Sequence, residues 1–143
     1  PVGRAYQINL NEDSYLLKSV IEPIFKAEQE TINVLVSTIR HFFTNKKIIA
    51  AAIFGSIARG QERKTSDIDL LIIAGDKEFA IECTANASNV TSSKFGRGLS
   101  PLVMSKERFV KKRNEALVKS ILQSYIPVYG KDLKELIKHG KGS

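Results

Sequence analysis

The sequence predicts an α/β fold in which a small sheet is flanked by helices. Short continuous apolar runs, typical of buried strands, alternate along the chain with segments whose apolar residues recur every three or four positions, as in amphipathic helices. The 143 residues are about one domain's worth and are enough to bury a single core. We find no internal repeat and no long Pro/Gly/Ser-rich linker in this sequence.

The first third of the chain is predicted to be helical. Apolar residues recur at helical spacing from Ser14 to about Phe43. Pro23 interrupts this pattern, because a proline inside a helix removes a hydrogen bond and clashes with the carbonyl one turn back. We therefore expect a long helix, kinked or broken at Ile21–Pro23. Residues 1–45 are assigned to an N-terminal segment with this helix, and residues 46–143 to the domain that contains the sheet.

Two strands joined by a glycine corner are predicted next. Ile48–Phe54 is a continuous apolar run, which is typical of a strand covered on both faces. After the Gly55–Ser56 corner, we expect a single helical turn at Ile57–Arg63. The second strand is predicted at Ser66–Ile73.

A helix and a third strand follow. Glu78–Ser93 is predicted to be a helix, although the Asn, Thr and Ser residues of its last third weaken the pattern. Gly96–Gly98 ends it. Leu99–Met104 is the third predicted strand, and Pro101 favours an edge position because its nitrogen cannot donate to a neighbouring strand.

The C-terminal part is predicted to be mostly helical. Ser105 has the character of a helix N-cap, and its helix is expected to reach about Gln123 with an interruption. Ile126–Gly130 is predicted to be a short extended or turn element. Asp132–Lys138 has the pattern of a last amphipathic helix.

The composition bears on where in the cell the protein is expected. No run approaches the ~20 apolar residues of a membrane span, and the chain does not open with a basic-then-apolar signal peptide. The lone Cys83 cannot form an internal disulfide and is expected to be a small buried residue. We expect a soluble, cytoplasmic protein without a membrane partner. Because the chain begins at Pro1, it also has the character of a piece excised from a longer protein.

The formal net charge of +7 is concentrated in the C-terminal part. Residues 94–143 hold twelve Lys/Arg against four Asp/Glu, whereas residues 1–93 hold ten against eleven. Such a basic half attracts phosphate-rich partners, namely nucleotides, nucleic acid or an acidic protein. A solvated basic helix face is the alternative. Phe109 is the only aromatic residue of the basic segment 106–113, which argues against a stacking surface for nucleic acid.

Two carboxylates lie within the second predicted strand. Asp67 and Asp69 would project from the same face, and like charges placed side by side carry an energetic cost. A divalent ion, which binds oxygen ligands, removes this repulsion. We therefore predict that Asp67 and Asp69 hold Mg²⁺ or Mn²⁺, the alternative being a solvent-facing strand end.

The Gly55–Ser56 corner is predicted to bind phosphate. Gly55 lets backbone N–H groups approach an anion, the following turn directs a helix N-terminus at it, and Ser56 adds a hydroxyl donor. Arg59, with Arg63 and Lys64 nearby, would neutralise phosphate charge. Together with the acid pair, these groups would form a site for metal-dependent nucleotidyl transfer, an in-line displacement at the α-phosphorus.

The same residues resemble a known family signature. Gly55–Gly60 and Ser66–Ile72 contain Gly-Ser, ten residues and Asp-x-Asp, a pattern similar to that of the DNA polymerase β-like nucleotidyltransferase superfamily, most of all its minimal prokaryotic branch. The resemblance is close over about residues 48–73. It implies a mixed sheet flanked by helices and metal-dependent use of a nucleoside triphosphate. It also implies catalytic and metal-binding roles for Asp67 and Asp69, with Gly55 and Ser56 as phosphate binders.

The resemblance is incomplete in one respect. Active members of the superfamily generally carry a third carboxylate on a later strand, which helps to hold a second metal and to activate the attacking hydroxyl. The predicted strand Leu99–Met104 contains no acid. Glu82 and Glu107, in the neighbouring predicted helices, are the available substitutes. The sequence therefore supports nucleotide and metal binding more firmly than turnover.

A weaker resemblance concerns the N-terminal segment. Val2–Asn9, followed by Glu22–Phe25, resembles the junction at which a winged-helix DNA-binding domain precedes such a nucleotidyltransferase domain. It implies that a DNA-reading domain lies upstream of Pro1 in the full-length protein.

We expect a Mg²⁺-dependent nucleotidyltransferase-like domain that binds a nucleoside triphosphate and transfers a nucleotidyl group to a protein or small-molecule hydroxyl. The alternative is a catalytically impaired nucleotide sensor, or an antitoxin-like interaction domain of a DNA-binding transcriptional regulator. The partners so implied are a nucleoside triphosphate, a toxin-like protein or DNA, and a second copy of the chain. His41 and His139 are isolated and are not expected to bind a metal.

Overall fold

The computed structural model describes residues 22–61 and 67–140, with side chains for residues 29–61 and 67–139. The chain forms two compact units, Pro1–Leu35 and Val36–Ser143. All four strands and the predicted site residues belong to the second unit. The predicted domain division at residue 45 stays a prediction.

Helix α1 spans Glu22–Phe43. Pro23, at which the sequence predicts a kink or a break, is the second residue of this described span. The predicted end at Phe43 is confirmed. The expected helix before Glu22 lies outside the described residues. Near the C-terminal end of α1, the Arg40 Nε–H donates to the Val128 carbonyl at 2.6 Å.

Four strands form one sheet in the order β3-β2-β1-β4. Strand β1 pairs antiparallel with both β2 and β4, and β2 pairs parallel with β3, so the sheet is mixed as predicted. The strand bounds are β1 Ile48–Phe54, β2 Ile68–Ala74, β3 Leu99–Met104 and β4 Ile126–Gly130.

Strand β2 begins two residues later than predicted, at Ile68. Asp67 therefore precedes the strand, and of the two acids only Asp69 lies within it. Strand β3 has the predicted bounds and, with Pro101, lies at the edge of the sheet. The segment Ile126–Gly130, predicted to be extended or a turn, forms the opposite edge strand.

Four helices follow the first two strands in the chain. None of the helices among the described residues is long and apolar enough to cross a membrane. The bounds are α2 Lys77–Phe95, α3 Lys106–Lys111, α4 Ala116–Gln123 and α5 Leu133–Gly140.

Helix α2 remains helical through its polar last third, which the sequence pattern left in doubt. Thr91 in that part is fully buried, and the buried Thr84 donates its hydroxyl to the Ala80 carbonyl at 2.8 Å. Tertiary packing thus outweighs weak helix propensity. The helix ends at Gly96, whose φ of 72° forms a left-handed C-cap.

The Ser105 N-cap is confirmed, since its hydroxyl accepts a hydrogen bond from the Arg108 N–H at 3.1 Å. The expected interruption divides the predicted helix into α3 and α4. These helices and α5 cover one face of the sheet, where a buried cluster forms the core. It consists of Ala50, Ala52, Leu71, Ile73 and Met104 from the strands and Phe109, Val118, Ile121, Leu133 and Leu136 from the helices.

Candidate functional site

The two acids lie where β2 begins, next to the end of β1. Asp67 is exposed just before the strand, and Asp69 is half-buried as its second residue. Asp69 pairs with Phe54, the last residue of β1. The antiparallel pairing therefore brings the segment after β1 against the acids.

That segment begins with Gly55, which adopts a φ of +78°. A Cβ at this position would collide with the Asp69 Oδ2 atom. Only glycine satisfies both constraints without strain, because it has no side chain and tolerates positive φ. The glycine corner predicted from the sequence therefore lies directly against the Asp69 carboxylate.

Hydrogen-bonded turns follow Gly55, in the described part of the segment for which a single helical turn is predicted. The Arg59 N–H donates to the Gly55 carbonyl at 3.1 Å, and the Gln61 N–H donates to the Ser56 carbonyl at 2.8 Å. Because these bonds span different numbers of residues, they close a compact loop and do not propagate as a helix. We call residues Gly55–Gln61 the glycine loop. The rest of the segment predicted as helical, through Arg63, lies outside the described residues.

The Asp69 carboxyl is affected by burial and by two charged neighbours, Arg59 and Asp67. Burial raises the pKa of Asp69; the Arg59 guanidinium opposes this shift, and the Asp67 carboxylate adds to it. The net shift is upward, because burial disfavours the charged form and a second negative charge disfavours it further. A cation between the two carboxylates would oppose both effects.

Gly98 separates Asp67 from helix α2. A Cβ at Gly98 would lie 3.4 Å from the Asp67 Oδ1, 3.2 Å from the Ser88 Oγ and 3.5 Å from the Ser92 Oγ. The Ile68 N–H donates a hydrogen bond to the Gly98 carbonyl at 2.9 Å, and this bond holds Gly98 next to the start of β2. The surroundings of Gly98 beside Asp67 are therefore polar and leave little room for a side chain.

Strand β3 runs parallel to β2 and sets Ser100 in register with Asp69. Ser100 is exposed. Strand β3, which the structure describes in full, has no carboxylate side chain.

The residues present fit one divalent cation. Asp67 and Asp69 offer oxygen ligands, and Mg²⁺ usually takes one or two protein carboxylates together with substrate phosphates. Among residues 22–61 and 67–140, no group of three or more His, Cys, Asp and Glu side chains could hold a metal. The proposed substitutes Glu82 and Glu107 therefore do not complete a three-acid cluster with the pair.

The structure brings several of the predicted site residues together. Gly55 touches Asp69, and Arg59 and Asp67 act on its charge; Ser56 follows Gly55 in the same loop. Arg63 and Lys64 lie outside the described residues. The site roles of all these residues stay predictions.

Other predicted residues lie elsewhere. Cys83 is buried, as expected. His41 is exposed, and the exposed His139 forms a pair with Glu135 at 3.2 Å.

Two neighbours of the site escaped sequence reasoning. Gly98 was interpreted only as part of a helix break, although its place just before an edge strand resembles that of Gly55 after β1. Ser124 donates its hydroxyl to the Ala58 carbonyl at 2.8 Å and so contacts the glycine loop from 66 residues away in the chain. No local sequence signal marks such a contact.

Comparison with known proteins agrees with this fold and motif. The family model described as "Polymerase beta, Nucleotidyltransferase" matches residues 37–134, which is more than half of the chain. The chain therefore belongs to the polymerase β nucleotidyltransferase family.

Among individual proteins, the chain is similar to "Putative protein adenylyltransferase MJ0604" of Methanocaldococcus jannaschii. The two are 37% identical over 98 residues, which cover 68% of this chain and 90% of that protein.

Two solved structures share the fold. A crystal structure of a toxin-antitoxin with AMP-PNP gives a TM-score of 0.52 at 15% identity and covers 75% of this chain and 84% of that chain. A mutant of the toxin-antitoxin MntA-HpeT gives a TM-score of 0.50 at 14% identity and covers 77% of this chain and 83% of that chain. At these identities the likeness concerns the fold alone, and it agrees with the polymerase β-like nucleotidyltransferase fold.

Proposed function

We propose that this domain binds ATP with one divalent cation and transfers the adenylyl group to a hydroxyl of a protein. The observation that carries the proposal is the contact of the Gly55 backbone with the Asp69 carboxylate. It places a loop suited to phosphate directly beside a pair of acids suited to a metal.

The glycine loop would bind the triphosphate. The positive φ of Gly55 and the absence of a side chain allow the chain to turn tightly beside Asp69, and the half-buried Ser56 adds a hydroxyl donor. Arg59, exposed and close enough to affect the charge of Asp69, would balance phosphate charge. Asp67 and Asp69 would hold the cation that accompanies the nucleotide, and this cation would neutralise phosphate charge.

The choice of nucleotide and acceptor rests on the relatives. The similar Methanocaldococcus protein is named a protein adenylyltransferase, and a toxin-antitoxin with this fold was crystallised with an ATP analogue. In the proposed reaction the acceptor oxygen forms a bond to the α-phosphorus, and the bond to the bridging oxygen breaks. Pyrophosphate leaves with that electron pair, and the hydroxyl proton passes to solvent.

The test is calorimetric titration with α,β-methylene ATP, in which the bond to be broken cannot be cleaved. We expect the wild-type protein to bind this analogue when Mg²⁺ is present and to bind it poorly in EDTA. Asp67→Asn and Asp69→Asn should each weaken binding by at least about 10–100-fold, because loss of an outer-shell partner already costs about that much and each substitution removes a charged ligand itself. Asp132→Asn is the matched control, since Asp132 bonds to Tyr125 in another part of the domain.

Transfer is tested separately by incubating the protein with ATP, Mg²⁺ and a pool of peptides that contain Ser, Thr and Tyr. Mass spectrometry should detect adenylylated peptide with the wild type and not with Asp69→Asn. A wild type that binds no nucleotide, or acid-pair variants that bind as tightly as the control, would show that the proposed site is wrong.

A further inference from the structure

We infer that this site holds a single divalent ion, because Ser100 occupies the position from which the neighbouring strand could add a carboxylate. The inference rests on the proposed function, since the ion in question is the one that accompanies the nucleotide.

The register of β2 and β3 locates this position. Asp69 pairs with Ser100, Leu71 with Leu102, and Ile73 with Met104. Leu71, Ile73 and Met104 belong to the same core cluster, and Leu102 packs against it. Because side chains two residues apart in a strand share a face, Asp69 and Ser100 project from that face as well.

The other residues that adjoin the acid pair on the two neighbouring strands carry no charge. Continuing the register by one residue places Gly98 beside Asp67, and the 3.4 Å separation of a Gly98 Cβ from the Asp67 Oδ1 agrees with this. On the β1 side, Asp69 adjoins Phe54 and Gly55. Of the strand residues next to the pair, Ser100 is therefore the one with a polar side chain.

A second ion would not be adequately bound by this set. In two-metal sites, charged oxygens shared between ions about 3.5–4 Å apart offset the repulsion between two double charges. Two carboxylates and the phosphates satisfy one Mg²⁺. The Ser100 hydroxyl is neutral at physiological pH and offers no compensating charge.

This arrangement has a consequence for the proposed reaction. The acceptor hydroxyl would meet no second ion to lower its pKa and no further carboxylate from β3 to take its proton. The isolated domain is therefore expected to retain its nucleotide and to transfer the adenylyl group slowly.

Counting bound Mn²⁺ by electron paramagnetic resonance tests the inference without reference to activity. With α,β-methylene ATP at saturation, we expect one Mn²⁺ per wild-type chain and two per Ser100→Asp chain. Ser100→Asn is the matched control, because it adds nearly the same volume without charge, and it should bind one Mn²⁺. Ser100 is exposed on an edge strand, so both variants are expected to fold, which circular dichroism will check.

The outcomes separate the two proposals. A wild type that binds the nucleotide with two Mn²⁺ overturns the single-ion inference and leaves the proposed function standing. Folded Ser100→Asp that binds one Mn²⁺ also overturns it. A wild type that binds neither nucleotide nor Mn²⁺ overturns the proposed function and this inference together.

Discussion

Gly55 and Gly60 lie in the same loop with similar positive φ angles and very different surroundings. Their φ angles are +78° and +71°. A Cβ at Gly55 would meet the Asp69 carboxylate, whereas a Cβ at Gly60 would have nothing within 4 Å. The pair therefore separates the cost of the backbone conformation from the cost of crowding the acid.

We predict that Gly60→Ala destabilises the fold by roughly 1–2 kcal/mol, because an L-residue in the left-handed region pays about that amount. Gly55→Ala should cost more, since Asp69 must also move. Urea denaturation measures both. In titrations with Mg²⁺ and α,β-methylene ATP, Gly60→Ala should keep its affinity and Gly55→Ala should lose most of it. Equal losses in the two variants would mean that contact with Asp69 is not what matters.

Candidate site residues can be recognised in the sequence where a chemical pattern is short and local. Asp67, Asp69, Gly55 and Ser56 stand out because two acids near a strand and a glycine after one are unusual choices for those positions. Ser124 carries no such signal, since one serine near a helix end has many roles. Its partner becomes visible only when the chain is folded.

At the scale of elements, the end of helix α4 supports the glycine loop. Ser124 follows the helix, and its hydroxyl reaches the Ala58 carbonyl at 2.8 Å. This bond ties the loop, which has no regular secondary structure, to a helix of the core face.

Ser124→Ala should destabilise the fold by about 0.5–1.5 kcal/mol, the usual net value of one hydrogen bond. It should also speed hydrogen exchange at the amides of Arg59 and Gln61, because the loop opens more often. Ser120→Ala, on the exposed side of the same helix, is the control and should change neither quantity. Ser124→Thr should restore slow exchange. If Ser124→Ala exchanges like the control, the hydroxyl does not hold the loop.

Most element types were predictable, whereas the start of β2 and the end of α2 were not. Apolar runs gave β1 and β3 with their observed bounds, because buried strands need continuous apolar sequence. The polar end of α2 was doubtful, since its helicity depends on burial that the local sequence does not show. After Gly55 a single helical turn was predicted, and the hydrogen bonds of the described residues there close a compact loop.

At the scale of the whole molecule, Tyr125 links stability to pH. Burial, followed by the hydrogen bond that its hydroxyl donates to Asp132 and the charge of that carboxylate, raises the pKa of Tyr125 to about 12 from an ordinary value of 10.0. Above pH 10 the unfolded chain loses this proton, whereas the folded chain keeps it until about pH 12. Stability should therefore fall as the pH rises through this window.

Tyr125→Phe tests this link. The variant should be less stable than the wild type below pH 10, because it lacks the hydrogen bond, and the difference should shrink as the pH approaches 12. Urea denaturation at a series of pH values measures both effects. Tyr129→Phe is the control, because it shows how much the removal of a phenol hydroxyl elsewhere in the domain changes stability. A difference that stays constant from pH 9 to pH 12 would contradict the assignment.

The mixed sheet was predictable only through the family resemblance. Apolar runs identify strands. Nothing in Ile48–Phe54 or Leu99–Met104 indicates which strand each pairs with, or whether the pairing is parallel or antiparallel. Strand direction depends on contacts between residues distant in the chain, and these are set by the whole fold.

Pro101 has a consequence for how copies of this domain meet. An open edge of a sheet is a template on which another strand can be added. A proline in an edge strand typically turns its nitrogen outward, where it offers no hydrogen to an incoming strand. The β3 edge, beside the acid-bearing strand, is thus a poor place for a second sheet to join. Crowded copies of the domain are therefore expected to resist pairing edge to edge along β3.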